Sequence, residues 1–283
     1  MRLRLLALRA MLSMALILCC RASTDGGDSD PKVAYTIKLR VRQIGETCHV
    51  TETVRTSSPT IRESSGAEPT LQVETHTTSF AFTEEVQART AAGDVLSRAQ
   101  RAYTTAEVSA EGKTRSLSFA GKTVLIERQP NKVYTFKIQG GAAVKEEDAE
   151  HFTGAFNSAK STNHQACLPT KPVKVNEVWD LSTGRKGTQP TAGAKTTGTG
   201  KLIRVYQQDG RQYGVFTLHL EMVATPGFPA ISADITFDGC IDGTSTDGTL
   251  KTLLAIPFVV PTANGDLQLR HTIAREMAVR SVK

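Results

Sequence analysis

Along much of the chain, apolar and polar residues take turns. In "VAYTIKLRV", residues 33–41, Val33, Tyr35, Ile37, Leu39 and Val41 alternate with Ala34, Thr36, Lys38 and Arg40. A period of two places successive side chains on opposite faces of a strand, so this predicts a strand with one face on a core and the other in water. The signature returns in "VFTLHLEM" (Phe216, Leu218, Leu220 and Met222 against Thr217, His219 and Glu221) and in "ISADITFD" (Ile231, Ala233, Ile235 and Phe237 against Ser232, Asp234 and Thr236). Leu267 and Leu269, then Met277 and Val279, continue it towards the end of the chain. Ala92-Gly93-Asp94, Asp209-Gly210, Asp247-Gly248 and Asn264-Gly265 punctuate these runs; Gly and Asn tolerate the positive φ that hairpin turns require. One-sided alternation argues for antiparallel sheet with one wet face.

One segment breaks the rhythm. In "KEEDAEHFTGAFNSAKS", Ala149, Phe152, Phe156 and Ala159 recur at helical spacing, with acids at the start and Lys160 at the end. The expected architecture is therefore mainly β: curved antiparallel sheets, half-barrel-like, in two halves joined by one amphipathic helix. The N-terminal β-rich half takes residues 32–144, the connecting helix 145–166 and the C-terminal β-rich half 167–283. Within the last, residues 182–201 hold no large apolar side chain and read as a mobile loop. Upstream of Trp179, Pro169 and Pro172 forbid a regular central strand and suggest an extended entry.

The first 22 residues read as an export signal, with Arg2 and Arg4 before an apolar run and a small residue, Ala22, at the cleavage point. Residues 23–31 read as a flexible spacer. Cys19 and Cys20 close the apolar run and offer an alternative as a lipid anchor. The leader also changes the charge argument. The whole chain carries 34 Lys and Arg against 28 acids, a net +6; without the four leader arginines 30 face 28, a net +2. The signs are interleaved, which gives no electrostatic case for nucleic acid. Cys48, Cys167 and Cys240 remain after the leader; one pair could bridge, and spacing does not choose which.

Gly-Lys-Thr occurs twice, at 112–114 and 121–123. A phosphate-binding loop requires a Gly five residues earlier, and a helix after. Glu107 and Ser116 stand at those positions, and "KTVLIE" alternates as a strand. Leu117 and Phe119 alternate as well, so the stretch reads as strand, tight turn, strand. No catalytic, cofactor-binding or metal-binding residue is assigned. No Gly-x-Ser-x-Gly elbow is present, and the six histidines (His49, His76, His151, His164, His219, His271) stand singly. Glu147 and His151 are a solvated helical pair, and His219 is a surface residue on a polar face. Asp234, Asp238, Asp242 and Asp247 do not match a calcium loop. Trp179 packs between the halves.

"LPTKPVKVNEVWDL", residues 168–181, together with a strand-rich half, a helix and a second strand-rich half holding "DGTL" and "NGDL", resembles a loose group of exported bacterial β-rich proteins without an assigned activity. In architecture alone, the chain is similar to the envelope carriers that ferry lipoproteins in a curved half-barrel. The resemblance implies a location in the bacterial periplasm, cell envelope or extracellular space. The expected function is a non-catalytic binding or envelope-maintenance protein, with a lipid or other hydrophobic ligand if the sheets leave an apolar concavity. The alternatives are a hydrolytic enzyme whose site is assembled from separate strands, and an adhesion or scaffold module without a small ligand.

Overall fold

A computed structural model describes residues 30–62, 70–90, 95–131, 133–149, 151, 167–181, 195–223, 230–262 and 265–282. Its strands in chain order are β1 (Ala34–Tyr35), β2 (Thr47–Arg62), β3 (Thr70–Arg89), β4 (Leu96–Ala110), β5 (Lys113–Ser116), β6 (Thr123–Arg128), β7 (Tyr134–Ile138), β8 (Val173–Lys174), β9 (Val178–Asp180), β10 (Lys195–Gln208), β11 (Arg211–Val223), β12 (Ile231–Cys240), β13 (Gly248–Thr262) and β14 (Gly265–Ser281). Twelve of them form one open, curved antiparallel sheet in the order β7-β6-β4-β3-β2-β14-β13-β12-β11-β10-β9, with β5 beside β4. β1 and β8 make a separate two-stranded ribbon.

The two halves share this sheet. The first long strand, β2, pairs with the last, β14, from Cys48↔Ser281 to Ser57↔Thr272. A strap before β2 laces the halves a second time. Lys38 N–H donates to Ile241 O, Arg40 Nη1 to Thr244 O, and Gly45 N–H to Val86 O. Of the expected connecting helix, Glu146–Ala149 and His151 are helical; residues 152–166 lie outside the described part.

Directly paired residues of an antiparallel sheet share a face. One row therefore crosses the whole sheet on one side: Leu202, Phe216, Phe237, Leu250, Met277, Glu52, Phe80 and Ala106. This packed face carries two cores. The first gathers Val50, Phe82, Tyr103, Val124 and Ile126 under the turn that holds Leu117 and Phe119. The second gathers Leu202, Phe216, Leu218 and Ile235 under Ile37, Leu168 and Val173. Ring pairs seal both, Tyr103 on Phe119 at 4.9 Å and Phe216 on Phe237 at 4.9 Å between centroids. The opposite face carries Thr, Ser, His and charged residues at alternate positions of β2, β3 and β11, and also exposes Leu71, Val73, Leu253 and Val259.

Several expectations need correction. The alternation expected over 33–41 holds in burial only at Tyr35, Ile37 and Leu39, while Val33 and Val41 are exposed, and only Ala34–Tyr35 form a strand, because the partner strand β8 is two residues long. Both Gly-Lys-Thr triplets lie at turns, with Gly112 at φ 75° and Gly121 at φ 70°, and β6 follows the second. Leu117 and Phe119, however, stand in the turn rather than in a strand, and both are buried. Asp209-Gly210 is a two-residue hairpin with φ of 50° and 70°. Asp247-Gly248 is not a turn: Gly248 begins β13 opposite Gly239, and the chain reverses at Gly243 (φ 81°). Asn264 and Ala92-Gly93-Asp94 lie outside the described residues.

The expected mobile loop at 182–201 is corrected from residue 195 onward. Lys195–Lys201 open β10, paired with β11 from Lys195↔Val223; residues 182–194 lie outside the described part. The missing apolar side chains have a packing reason. A Cβ on Gly200 would stand 2.1 Å from the Trp179 ring, and one on Gly198 3.0 Å from a Leu220 methyl and 2.3 Å from the His219 carbonyl. Neighbours supply the apolar surface that this strand lacks. Gly200→Ala is therefore expected to push Trp179 off β10 and destabilise the fold by about 1–3 kcal/mol. Trp179 is the only tryptophan, so a red-shifted emission in the folded variant, with a lower melting temperature, checks this directly.

Candidate functional site: the half-exposed end of the packed face

Past the Leu250–Met277 pair where the two cores meet, toward the β13–β14 hairpin, the packed face is left half-exposed. On β12, β13 and β14 it presents Ala233, Leu254, Ile256, Phe258 and Ile273, all half-buried and members of neither core. Cross-strand register aligns them: Ala233↔Leu254↔Ile273, then Ile256↔His271, then Phe258↔Leu269. The stretch that supplies them, "LLAIPFVVP" (253–261), is the longest apolar run of the C-terminal half. Pro257 and Pro261 also withhold backbone donors from β13 beyond its last pair with β12, which protects that margin against strand addition.

On β2 and β3 the same face changes character. Thr56, Ser58 and Thr60 come from β2, and Gln72, Glu74, His76 and Thr78 from β3, paired as Thr56↔His76, Ser58↔Glu74 and Thr60↔Gln72. The boundary between the apolar and polar parts follows the β14–β2 seam. Two polar contacts mark it. Arg275 is ion-paired with the buried Glu52 carboxylate, 2.8 Å from Nε to Oε1, and Ser58 Oγ meets His271 Nδ1 at 2.8 Å, one residue beyond the last β2–β14 pair.

A second charged group lies deeper on this face. Glu84 is 1% exposed and is held by Arg42 and Arg101, the latter at 2.5 Å from Nε to Oε2. Burial pushes the Glu84 carboxyl up, but the two guanidiniums outweigh it and hold it below its ordinary value. Arg101 also stacks on the Phe82 ring, 4.3 Å from its centroid. Arg42 Nη1 donates to Cys48 Sγ at 2.8 Å; burial nonetheless pushes that thiol up, which makes it a structural rather than a reactive cysteine. Cys48, Cys167 and Cys240 are all free thiols.

The sequence candidates are dispersed. His219 lies on the polar face, where Asp234 holds its ring at 2.7 Å and raises its pKa. Asp242 is a loop cap: its carboxylate accepts from Gln212 N–H (2.8 Å) and Thr244 N–H (2.8 Å), and despite its desolvation these bonds hold its pKa far down. Asp247 accepts from Ser281 N–H at 2.5 Å, and Asp238 from the Tyr206 hydroxyl at 2.7 Å. Trp179 Nε1 donates to Cys167 O at 3.0 Å while its ring covers Gly200. Among the described residues no group of three or more His, Cys, Asp or Glu is placed to hold a metal. Sequence reasoning missed Ser58, Glu74 and the 253–261 run as one site. The run itself was the available signal, an apolar stretch with a turn dipeptide just beyond it.

No family model matches the chain, and neither does any curated protein. Among solved structures, the crystal structure of an outer membrane channel from Pseudomonas putida F1 is similar over 89% of this chain and 100% of that one, at 12% identity and a TM-score of 0.21. A likeness at that level assigns neither fold nor function. Among the described residues no helix is long and apolar enough to cross a membrane.

Proposed function

We propose that the chain is an exported, non-catalytic binding protein of the bacterial periplasm or cell envelope, and that it holds a hydrophobic ligand against the packed face of its sheet. The observation that supports this reading is the half-exposed apolar surface of β12–β14, which lies beyond the Leu250–Met277 pair where the two cores meet and belongs to neither. Water-facing apolar area of this kind is stabilised when a ligand covers it, by roughly 25 cal/mol for each Å² removed from water. The alternation of the sequence supports the same division of faces.

The protein expressed with its leader and purified without detergent is expected to carry lipid, visible by native mass spectrometry and solvent extraction. The emptied protein is expected to enhance the fluorescence of the uncharged apolar probe N-phenyl-1-naphthylamine. Ile256→Asp with Phe258→Asp, at half-exposed positions, should abolish that enhancement and leave the far-ultraviolet spectrum unchanged. A protein that purifies empty and leaves the probe dark overturns the reading and favours a scaffold.

A further inference from the structure

One titratable side chain stands inside the apolar surface. His271 of β14 lies between Leu269 and Ile273 on the same face of its strand, and Ile256 of β13 pairs directly beside it. We propose that His271 makes ligand binding proton-linked: the protein holds its hydrophobic ligand while this ring is neutral and releases it when the ring is protonated. This deepens the binding function proposed above and rests on it.

The ring is half-buried, and among the described residues its polar contact is the 2.8 Å bond between Nδ1 and Ser58 Oγ. A hydroxyl donates to a neutral imidazole or accepts from a charged one, so this bond serves either state. From β13, the side chains of the same and the adjacent rows are Leu254, Ile256 and Phe258; from β2 they are Thr56, Ser58 and Thr60. The first charged residue along this face of β14 is Arg275, which is paired with Glu52. Glu74 lies in the same row as His271 but two strands away, beyond Ser58, with exposed His76 next to it on β3. With strands about 4.8 Å apart, the backbone of Glu74 is about 10 Å from that of His271, near one Debye length. Arg62 lies at the far end of β2, and Lys113 is four strands away on β5. No carboxylate therefore stands in these rows on β14 or on either neighbouring strand.

An apolar ligand lying on Ile256, Leu269 and Ile273 covers the ring between them and excludes its water. An imidazolium loses its hydration there and gains no counter-charge, whereas a neutral ring loses far less. The ligand therefore favours the neutral ring, and by reciprocity a proton on the ring disfavours the ligand. Histidine changes charge between pH 5 and 8, so mild acidification is the trigger. Glu74, His76, Arg62 and Lys113 influence the pH at which release occurs. They are present in the empty and the loaded protein alike, and the sign of the linkage comes from the cover over His271.

The test titrates N-phenyl-1-naphthylamine, which stays uncharged over this range, into the emptied protein at pH 7.5 and at pH 5. Its dissociation constant is expected to be about tenfold higher at pH 5, with an unchanged far-ultraviolet spectrum. His271→Gln keeps a hydrogen-bonding side chain without a titratable ring. It should bind the probe at both pH values with the affinity that the wild type shows at pH 7.5. His76→Gln, at the exposed neighbour, should retain the wild-type pH dependence. Equal affinity at the two pH values overturns the inference, as does tighter binding in acid. So does a weakening that survives in His271→Gln, disappears in His76→Gln or accompanies a loss of strand signal. A wild-type protein that leaves the probe dark at pH 7.5 overturns the binding function itself, and this inference with it.

Discussion

Glu84→Gln is expected to destabilise the fold by about 3–5 kcal/mol, the range for removing one partner of a buried ion pair. The change is nearly isosteric, so packing is not what is lost. The carboxylate sits at 1% exposure between Arg42 and Arg101. An amide would leave two guanidiniums facing each other with no counter-charge in a half-dry environment. Chemical denaturation checks this, with Glu276→Gln as the control: Glu276 pairs with Lys251 on the surface, where both are more than half exposed, and its loss should leave the midpoint within error. The effect has a pH signature. The folded-state pKa of Glu84 lies below its ordinary value near 4.5. Its contribution is therefore complete above pH about 4.5 and is lost as pH falls through the folded value. The gap in stability between wild type and variant should be widest near neutrality and should close in acid. A gap that is constant down to pH 3 would show that the charge is not the cause.

Phe119→Ala is expected to cost about as much, 3–5 kcal/mol, by leaving a cavity. Phe119 is fully buried. Its ring meets Tyr103 at 4.9 Å and Phe80 at 6.2 Å, so it plugs the first core from above the sheet. The turn that carries it is anchored from a second direction: the Asp148 carboxylate accepts from Ser118 N–H at 2.7 Å and from Arg115 Nη1 at 2.8 Å. Although burial opposes it, this set of donors lowers the Asp148 pKa to about 2. Lys113→Ala, in the other Gly-Lys-Thr triplet, lies on an exposed short strand and should be silent. The contrast separates two look-alike triplets: the second precedes a strand and follows a core plug, and the first is an ordinary surface turn. Urea midpoints of the two variants give the measurement.

Legibility followed the chemistry of the packed face. Where that face is aliphatic, the period of two is plain: β11 shows Phe216, Leu218 and Leu220, and β12 shows Ile231, Ile235 and Phe237. The N-terminal half was expected to be rich in strands, but β2, β3 and β4 were not individually discerned, although they are among the longest. The reason is that charged residues occupy core-facing positions: Glu52 on β2, Glu84 on β3 and Arg101 on β4 interrupt the apolar rhythm. A bulge on β4 near Thr104 then shifts its phase, so that Tyr103 and Ala106 face the same way. No single-strand pattern marks a carboxylate as buried, because burial becomes tolerable only when partners arrive from other strands. The candidate site had the same obstacle. Ser58 and His271 are 213 residues apart and meet only because the last strand pairs with the first long one.

By itself the sequence determined that the chain would form antiparallel strands with one wet and one packed face, that the second Gly-Lys-Thr would lie at a turn leading into a strand, and that Asp209-Gly210 would turn. These are local properties: side-chain period, φ tolerance and motif spacing act within a few residues. Only the tertiary structure decided that the halves would merge into one sheet through β2 and β14, that a glycine-rich stretch would become a strand because Trp179 and Leu220 fill its space, and that an apolar surface would border a polar one along a single seam. Those outcomes depend on which distant strand lies alongside, and a residue's neighbours across a sheet are not encoded in its neighbours along the chain.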